Sequence, residues 1–147
     1  MRIWVDADAC PKPIKEIVFK AAKRTETIAV LVANQPLVTP LSPFIQKIQV
    51  PPGFDNADNE IAAKMESGDL VITADIPLAN AVVDKGGTAL NPRGQLYTKR
   101  NMKQHLSNRN FSAELRGAGM LSGGPPGLGA KEIQRFANAL DKFLATR

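Results

Sequence analysis

A chain of 147 residues, 44% hydrophobic and 22% charged, is long enough to bury one core and too ordinary in composition for a disordered, fibrous or disulfide-stapled protein. It has no apolar run of bilayer length and no signal-peptide pattern, and its lone Cys10 cannot form an internal disulfide; these features argue against a membrane protein and make a reducing cytoplasm the expected compartment. The net charge of +5 is unevenly divided: residues 1–84 hold 8 Lys/Arg against 11 Asp/Glu, residues 85–147 hold 11 against 3, which suits a protein that holds cations with one part and phosphates with the other, or one with a merely solvated basic surface.

The first predicted strand, residues 2–6, carries the apolar run Ile3-Trp4-Val5 and ends abruptly in Asp6-Ala7-Asp8. A helix is expected from Pro11 to Arg24, with proline in its first turn and Ile14, Ile17, Val18 and Ala21 on one stripe. Strand 2, Thr27 to Ala33, is a continuous apolar run of the kind covered on both faces. A loop with Pro36, Pro40 and Pro43 follows, then strand 3, Ile45 to Val50, and the breaker Pro51-Pro52-Gly53. Helix 2 is expected from Asp55 or Asn56 to Glu66 and strand 4 from Leu70 to Ala74. Helix 3 covers Pro77 to Lys85 and strand 5 covers Thr88 to Leu90. This alternation argues a parallel α/β sheet. Beyond it a polar helix near Lys99 to Leu106, a Gly-rich stretch and an amphipathic helix from Ala130 to Ala145 are expected. No boundary splits the chain, so residues 1–147 read as one domain, with 95–147 its basic, helical and Gly-rich C-terminal extension.

In a parallel sheet every strand ends on one edge, and the helix after each strand begins there; ligands bind at that edge. Asp6, Asp8 and Asp75 follow strands, and Asp55 and Asp58 open helix 2. Asp58 shares a helical face with Ile61, Ala62 and Met65, the face that should look at the sheet. Taken one at a time, Asp55, Asp58 and Asp75 have a duller explanation as helix caps. Taken together, crowded carboxylates raise one another's pKa, and a divalent cation relieves the repulsion. All-oxygen ligands select Mg²⁺ or Mn²⁺ on Asp6, Asp8, Asp55, Asp58 and Asp75, and one His with one Cys sets a zinc site aside. Such an ion serves phosphodiester hydrolysis. Arg93, Lys99, Arg100, Lys103, Arg109 and Arg116 are the candidates for gripping a nucleic-acid backbone.

The strings Val5-Asp6-Ala7-Asp8-Ala9-Cys10-Pro11, Val32-Ala33-Asn34, Gly53-Phe54-Asp55-Asn56-Ala57-Asp58 and Gly68-Asp69-Leu70-Val71-Ile72-Thr73-Ala74-Asp75-Ile76-Pro77-Leu78-Ala79 resemble the YaiI/YqxD family of uncharacterised bacterial proteins. Asn91-Pro92-Arg93-Gly94 and Gly123-Gly124-Pro125-Pro126 resemble its later motifs. That family is similar to PIN-like domains, which implies a three-layer sandwich with a central parallel sheet of order 3-2-1-4-5 flanked by helices. It also implies that Asp6, Asp58 and Asp75 match the acidic positions of PIN nucleases, with Asp8 and Asp55 auxiliary. The function this suggests, by analogy of fold and site, is metal-dependent hydrolysis of RNA.

Two rivals compete. The Asp6/Asp8 pair also resembles the opening of haloacid-dehalogenase-type phosphatases, with a nucleophile followed by an acid/base. That chemistry wants a late acidic pair at the same edge, but Asp69 and Asp75 are separated by a strand, roughly 20 Å. A non-catalytic RNA-binding module that keeps the acids as scaffold is the second. No serine-hydrolase elbow or P-loop is present. Cys10 reads as a small packed residue and His105 as exposed or phosphate-facing.

Overall fold

The computed structural model describes residues 1–53, 56–102, 104 and 128–146. Each apolar run becomes a strand: β1 (Arg2–Asp6), β2 (Ile28–Ala33), β3 (Ile45–Gln49), β4 (Leu70–Ile72) and β5 (Thr88–Leu90), with a short β6 (Leu96–Tyr97) that the sequence does not announce. The sheet order is β3-β2-β1-β4-β5-β6, parallel throughout except for the final antiparallel pair. The expected order 3-2-1-4-5 therefore holds, extended by one edge strand.

Successive strand residues point to opposite faces, and both faces are covered. Ile3, Val5, Leu31 and Ile72 face α1 (Lys12–Thr25) and α4 (Ala130–Thr146), which bring Ile14, Val18, Phe136 and Leu140. Trp4, Val30, Val32 and Val71 face α2 (Asn56–Lys64) and α3 (Ile76–Asp84), which bring Ile61, Leu78 and Val82. The result is three layers, helix pair on sheet on helix pair. No helix among the described residues is long and apolar enough to cross a membrane.

From β1 the chain moves through α1 to β2 and β3 on one side; from β3 it returns through α2 to β4 on the other side of β1. The direction reverses between β1 and β4, so the crevice at their C-terminal ends is the topological switch point, where ligands of open α/β sheets bind. The β2–β3 connection differs from the other crossovers between parallel strands in having no helix. Its Leu37 alone reaches back to pack on the α1-side core.

Asn91-Pro92-Arg93-Gly94 forms the β5–β6 turn. Asn91 accepts from the Arg93 N–H (2.7 Å) and donates its amide to the Tyr97 hydroxyl (2.9 Å). Gly94 has φ +93°, and a Cβ there would lie 2.7 Å from the Arg135 carbonyl carbon and 2.8 Å from Phe136 N. That turn leans directly on the α4 backbone, so only glycine fits.

At the N-terminal end of the β1/β4 pair, buried Asp69 is fully employed. Its Oδ1 accepts from the Arg2 N–H, and its Oδ2 from Trp4 Nε1–H and the Glu66 N–H, each at 3.0 Å. Removing the carboxylate would strand three donors, two of them on β1. Asp69→Ala is expected to cost about 3 kcal/mol, read as a lowered urea midpoint with an unchanged m-value; a loss under about 1 kcal/mol would mean that water replaces the carboxylate.

Candidate metal centre

Strand β1 delivers Asp6 to the switch point because its apolar residues are spent on the two cores and the chain must turn there. Asp6 is the last residue of β1 and is only 6% exposed. Its Oδ2 accepts from the Thr73 hydroxyl at 3.2 Å, across from β1 to the residue just past β4. Thr73 Oγ1 also accepts from the Asp75 N–H at 3.0 Å. Asp75 in turn caps α3, its Oδ1 accepting from the Leu78 N–H at 2.8 Å. The duller reading of Asp75 as a helix cap is thus true, and it also fixes Asp75 one hydroxyl away from Asp6.

Asp8 lies in the 3-10 turn Ala7–Ala9 and is exposed. Its Oδ2 accepts from the Asn34 N–H at 2.8 Å, which ties the end of β2 to the same edge. Burial pushes the Asp6 carboxyl above its ordinary range; the Thr73 hydroxyl pulls it back down, and the charges of Asp75 and Asp8 push it up further. Two carboxylates thus act on a third that is buried between strands, with one hydroxyl to favour its charged form.

Asp58 sits half-buried in the first turn of α2, which packs on β1, β2 and α3. Asp55 lies outside the described residues. Among the described residues, no three His, Cys, Asp or Glu side chains are gathered as a ready ligand set. The structure brings Asp6, Asp8 and Asp75 into one electrostatic neighbourhood and carries Asp58 on the adjoining helix α2.

Arg93 lies in the β5–β6 turn at the same edge, half-exposed. Lys99 and Arg100 are exposed on a helical stretch, 99–102, beyond β6. Lys103, His105, Arg109, Arg116 and the Gly123-Gly124-Pro125-Pro126 motif lie outside the described residues. Asp69, at the far end of β4 from Asp75, contributes nothing to this edge, as its distance along the strand requires. Cys10 is buried and its thiol is pushed up to about 12, chiefly by burial, which suits a packed residue and not a nucleophile. Thr73 is the participant that sequence reading passed over. Its signal was a hydroxyl directly after the last apolar residue of a strand and two positions before an N-capping aspartate.

The family model described as "Uncharacterized BCR, YaiI/YqxD family" matches residues 4–146. A UPF0178 protein of Aeromonas hydrophila is 59% identical over 144 residues, covering 98% of this chain and 96% of the relative. One of Maridesulfovibrio salexigens is 60% identical over 144 residues, covering 98% and 95%. One of Thioalkalivibrio sulfidiphilus is 56% identical over 147 residues, covering the whole of both chains. No solved structure matches the chain.

A carboxyl held above its ordinary value is one whose ionised form the fold disfavours. Between about pH 4 and the raised value the native state keeps a proton that the unfolded chain has lost, so stability falls as pH rises through that window. Asp6→Asn is therefore expected to raise the melting temperature at pH 7, with the gain shrinking as the pH approaches 4 and wild-type Asp6 becomes protonated. A lower melting temperature than wild type at pH 7 would show instead that the native state stabilises the Asp6 carboxylate.

Proposed function

The chain belongs to the uncharacterised YaiI/YqxD family, and on that footing we propose that it is a divalent-metal-dependent nuclease hydrolysing RNA phosphodiester bonds. The observation that carries this reading is the Asp6–Thr73–Asp75 linkage at the topological switch point, with Asp8 beside it. A purely structural carboxylate is satisfied as Asp69 is. Asp6 instead is kept buried with one hydroxyl for company and like charges nearby, an arrangement that a bound cation would make favourable.

The donor chemistry fits Mg²⁺ or Mn²⁺, since every candidate ligand is a hard oxygen. Asp6 and Asp75 would hold the ion, with Asp8 at the rim and Asp58, the third acidic position of the family resemblance, approaching from α2. Bound there, such an ion supplies an activated water and neutralises charge building on the phosphate. The chain's own residues do the rest. Thr73 holds Asp6 Oδ2 and orients its carboxylate. The positive end of the α3 dipole lies at the same edge and favours negative charge there. Lys99 and Arg100, with Arg93 nearer the edge, supply charge for the RNA backbone. A dehalogenase-type phosphatase finds no support in this geometry, because its second acidic pair would need Asp69.

Manganese titration followed by calorimetry tests the site, and cleavage of a labelled single-stranded RNA tests the activity. Asp75→Asn keeps a good helix cap and is expected to fold normally, to lose Mn²⁺ affinity and to lower cleavage on the order of a hundredfold or more. Wild-type Mn²⁺ binding by both Asp6→Asn and Asp75→Asn would remove the metal assignment. RNA binding without cleavage by the wild-type protein would leave a binding module. Replacing Lys99 and Arg100 by alanine is expected to weaken RNA binding and lower the slope of log K against log salt by about 1.4; an unchanged slope would take these two residues out of the interface.

A further inference from the structure

The β2–β3 crossover, residues 34–44, runs as a Pro-rich strap where the neighbouring crossovers have helices. A strap is thinner than a helix, so it covers the sheet incompletely and leaves a cleft against α1. The cavity is about 550 Å³, with Leu31 as its floor, Phe19 on the α1 side and Pro36, Leu37 and Val38 on the strap side. Val38 is 98% exposed, so the strap offers apolar surface that nothing in the fold covers. The mouth carries Lys12 and Lys15 against a single acid, Glu16. Lys15 is half-buried, and among the described residues its ammonium has no ion pair.

The cleft adjoins the acidic edge. Its strap begins at Asn34, whose N–H is bonded to Asp8. The charge of Lys15 is felt at Cys10, and so is that of Asp6. An apolar slot lined by a cation that has no ion pair among the described residues, next to the carboxylates of the sheet edge, is complementary to a flat hydrophobic ring joined to an anion.

We infer that this cleft seats one nucleobase of the bound RNA strand between Phe19 and the strap, with Lys15 holding the phosphate attached to that nucleotide. The inference rests on the nuclease reading above for its choice of ligand. A base must leave its helix stack to enter such a slot, so the substrate presents an unpaired nucleotide beside the bond to be cut. Stacking on apolar and aromatic side chains tolerates any base, so the cleft fixes register without fixing sequence.

The test needs no metal and no cleavage. The full chain, labelled with ¹⁵N, is titrated with cytidine 5′-monophosphate, with cytidine and with inorganic phosphate, and the amide shifts are followed. Cytidine monophosphate is expected to move amides of residues 12–19 and 35–40 and to bind more tightly than either fragment. Lys15→Gln should weaken the nucleotide about tenfold and leave cytidine unchanged. Val38→Asp, at an exposed position that the fold does not need, should weaken both. Shifts confined to other regions, equal binding of phosphate and nucleotide, or a Lys15→Gln variant that binds the nucleotide like wild type would each overturn the inference. Nucleotide binding in the cleft by a protein that cleaves no RNA would sink the nuclease reading alone. Manganese-dependent cleavage with no shifts in the cleft would sink the cleft alone.

Discussion

The structure depends on how two aspartates are treated at opposite ends of one strand pair. Strands β1 and β4 lie side by side in parallel, with Ile3, Trp4 and Val5 registered on Leu70, Val71 and Ile72. At their N-terminal ends Asp69 accepts three hydrogen bonds and locks the pair. At their C-terminal ends Asp6 accepts one from Thr73 and faces the charges of Asp75 and Asp8. Both carboxylates are buried to the same degree, 6% exposed. Equal burial with unequal satisfaction separates a carboxylate that serves the fold from one that the fold merely tolerates.

That tolerance is possible because the switch point is a natural gap. Helices α1 and α3, which follow β1 and β4, pack on opposite faces of the sheet, which opens the crevice between the ends of these two strands. The gap leaves room for carboxylates without displacing core. Asp75 shows how one residue meets two demands there: its Oδ1 caps α3, which fixes its position, and its charge still reaches Asp6. Helix capping and cation binding draw on the same residue types, since both use the lone pairs of a carboxylate oxygen, offered to a backbone N–H in one case and to a cation in the other.

Not every motif of the family resemblance bears on chemistry. Asn91-Pro92-Arg93-Gly94 is explained by the β5–β6 turn, its bond to Tyr97 and the close approach of Gly94 to α4. Gly68-Asp69 is explained by the turn into β4 and the clamp on β1. The Asp6-Ala7-Asp8 and Thr73-Ala74-Asp75 strings lack such a structural account in full, and they are the ones that meet at the sheet edge.

The sequence by itself determined the strands, the helices and the layered α/β class, because apolar runs bounded by Pro, Gly and Asp leave little choice of element. Parallel pairing then put Asp6 and Asp75 at one edge by strand direction alone. Three things were decided only by tertiary structure. The short β6 forms because the Asn91–Gly94 turn docks on α4, a contact distant in sequence. The bond between Thr73 and Asp6 depends on β4 lying next to β1, which no local pattern encodes. The relation of Asp58 to Asp6 depends on how α2 seats on the sheet, so periodicity could give its face but not its reach. Local composition fixes what each segment is; which charges feel one another is settled by packing, because electrostatic and hydrogen-bond partners are chosen by distance in space.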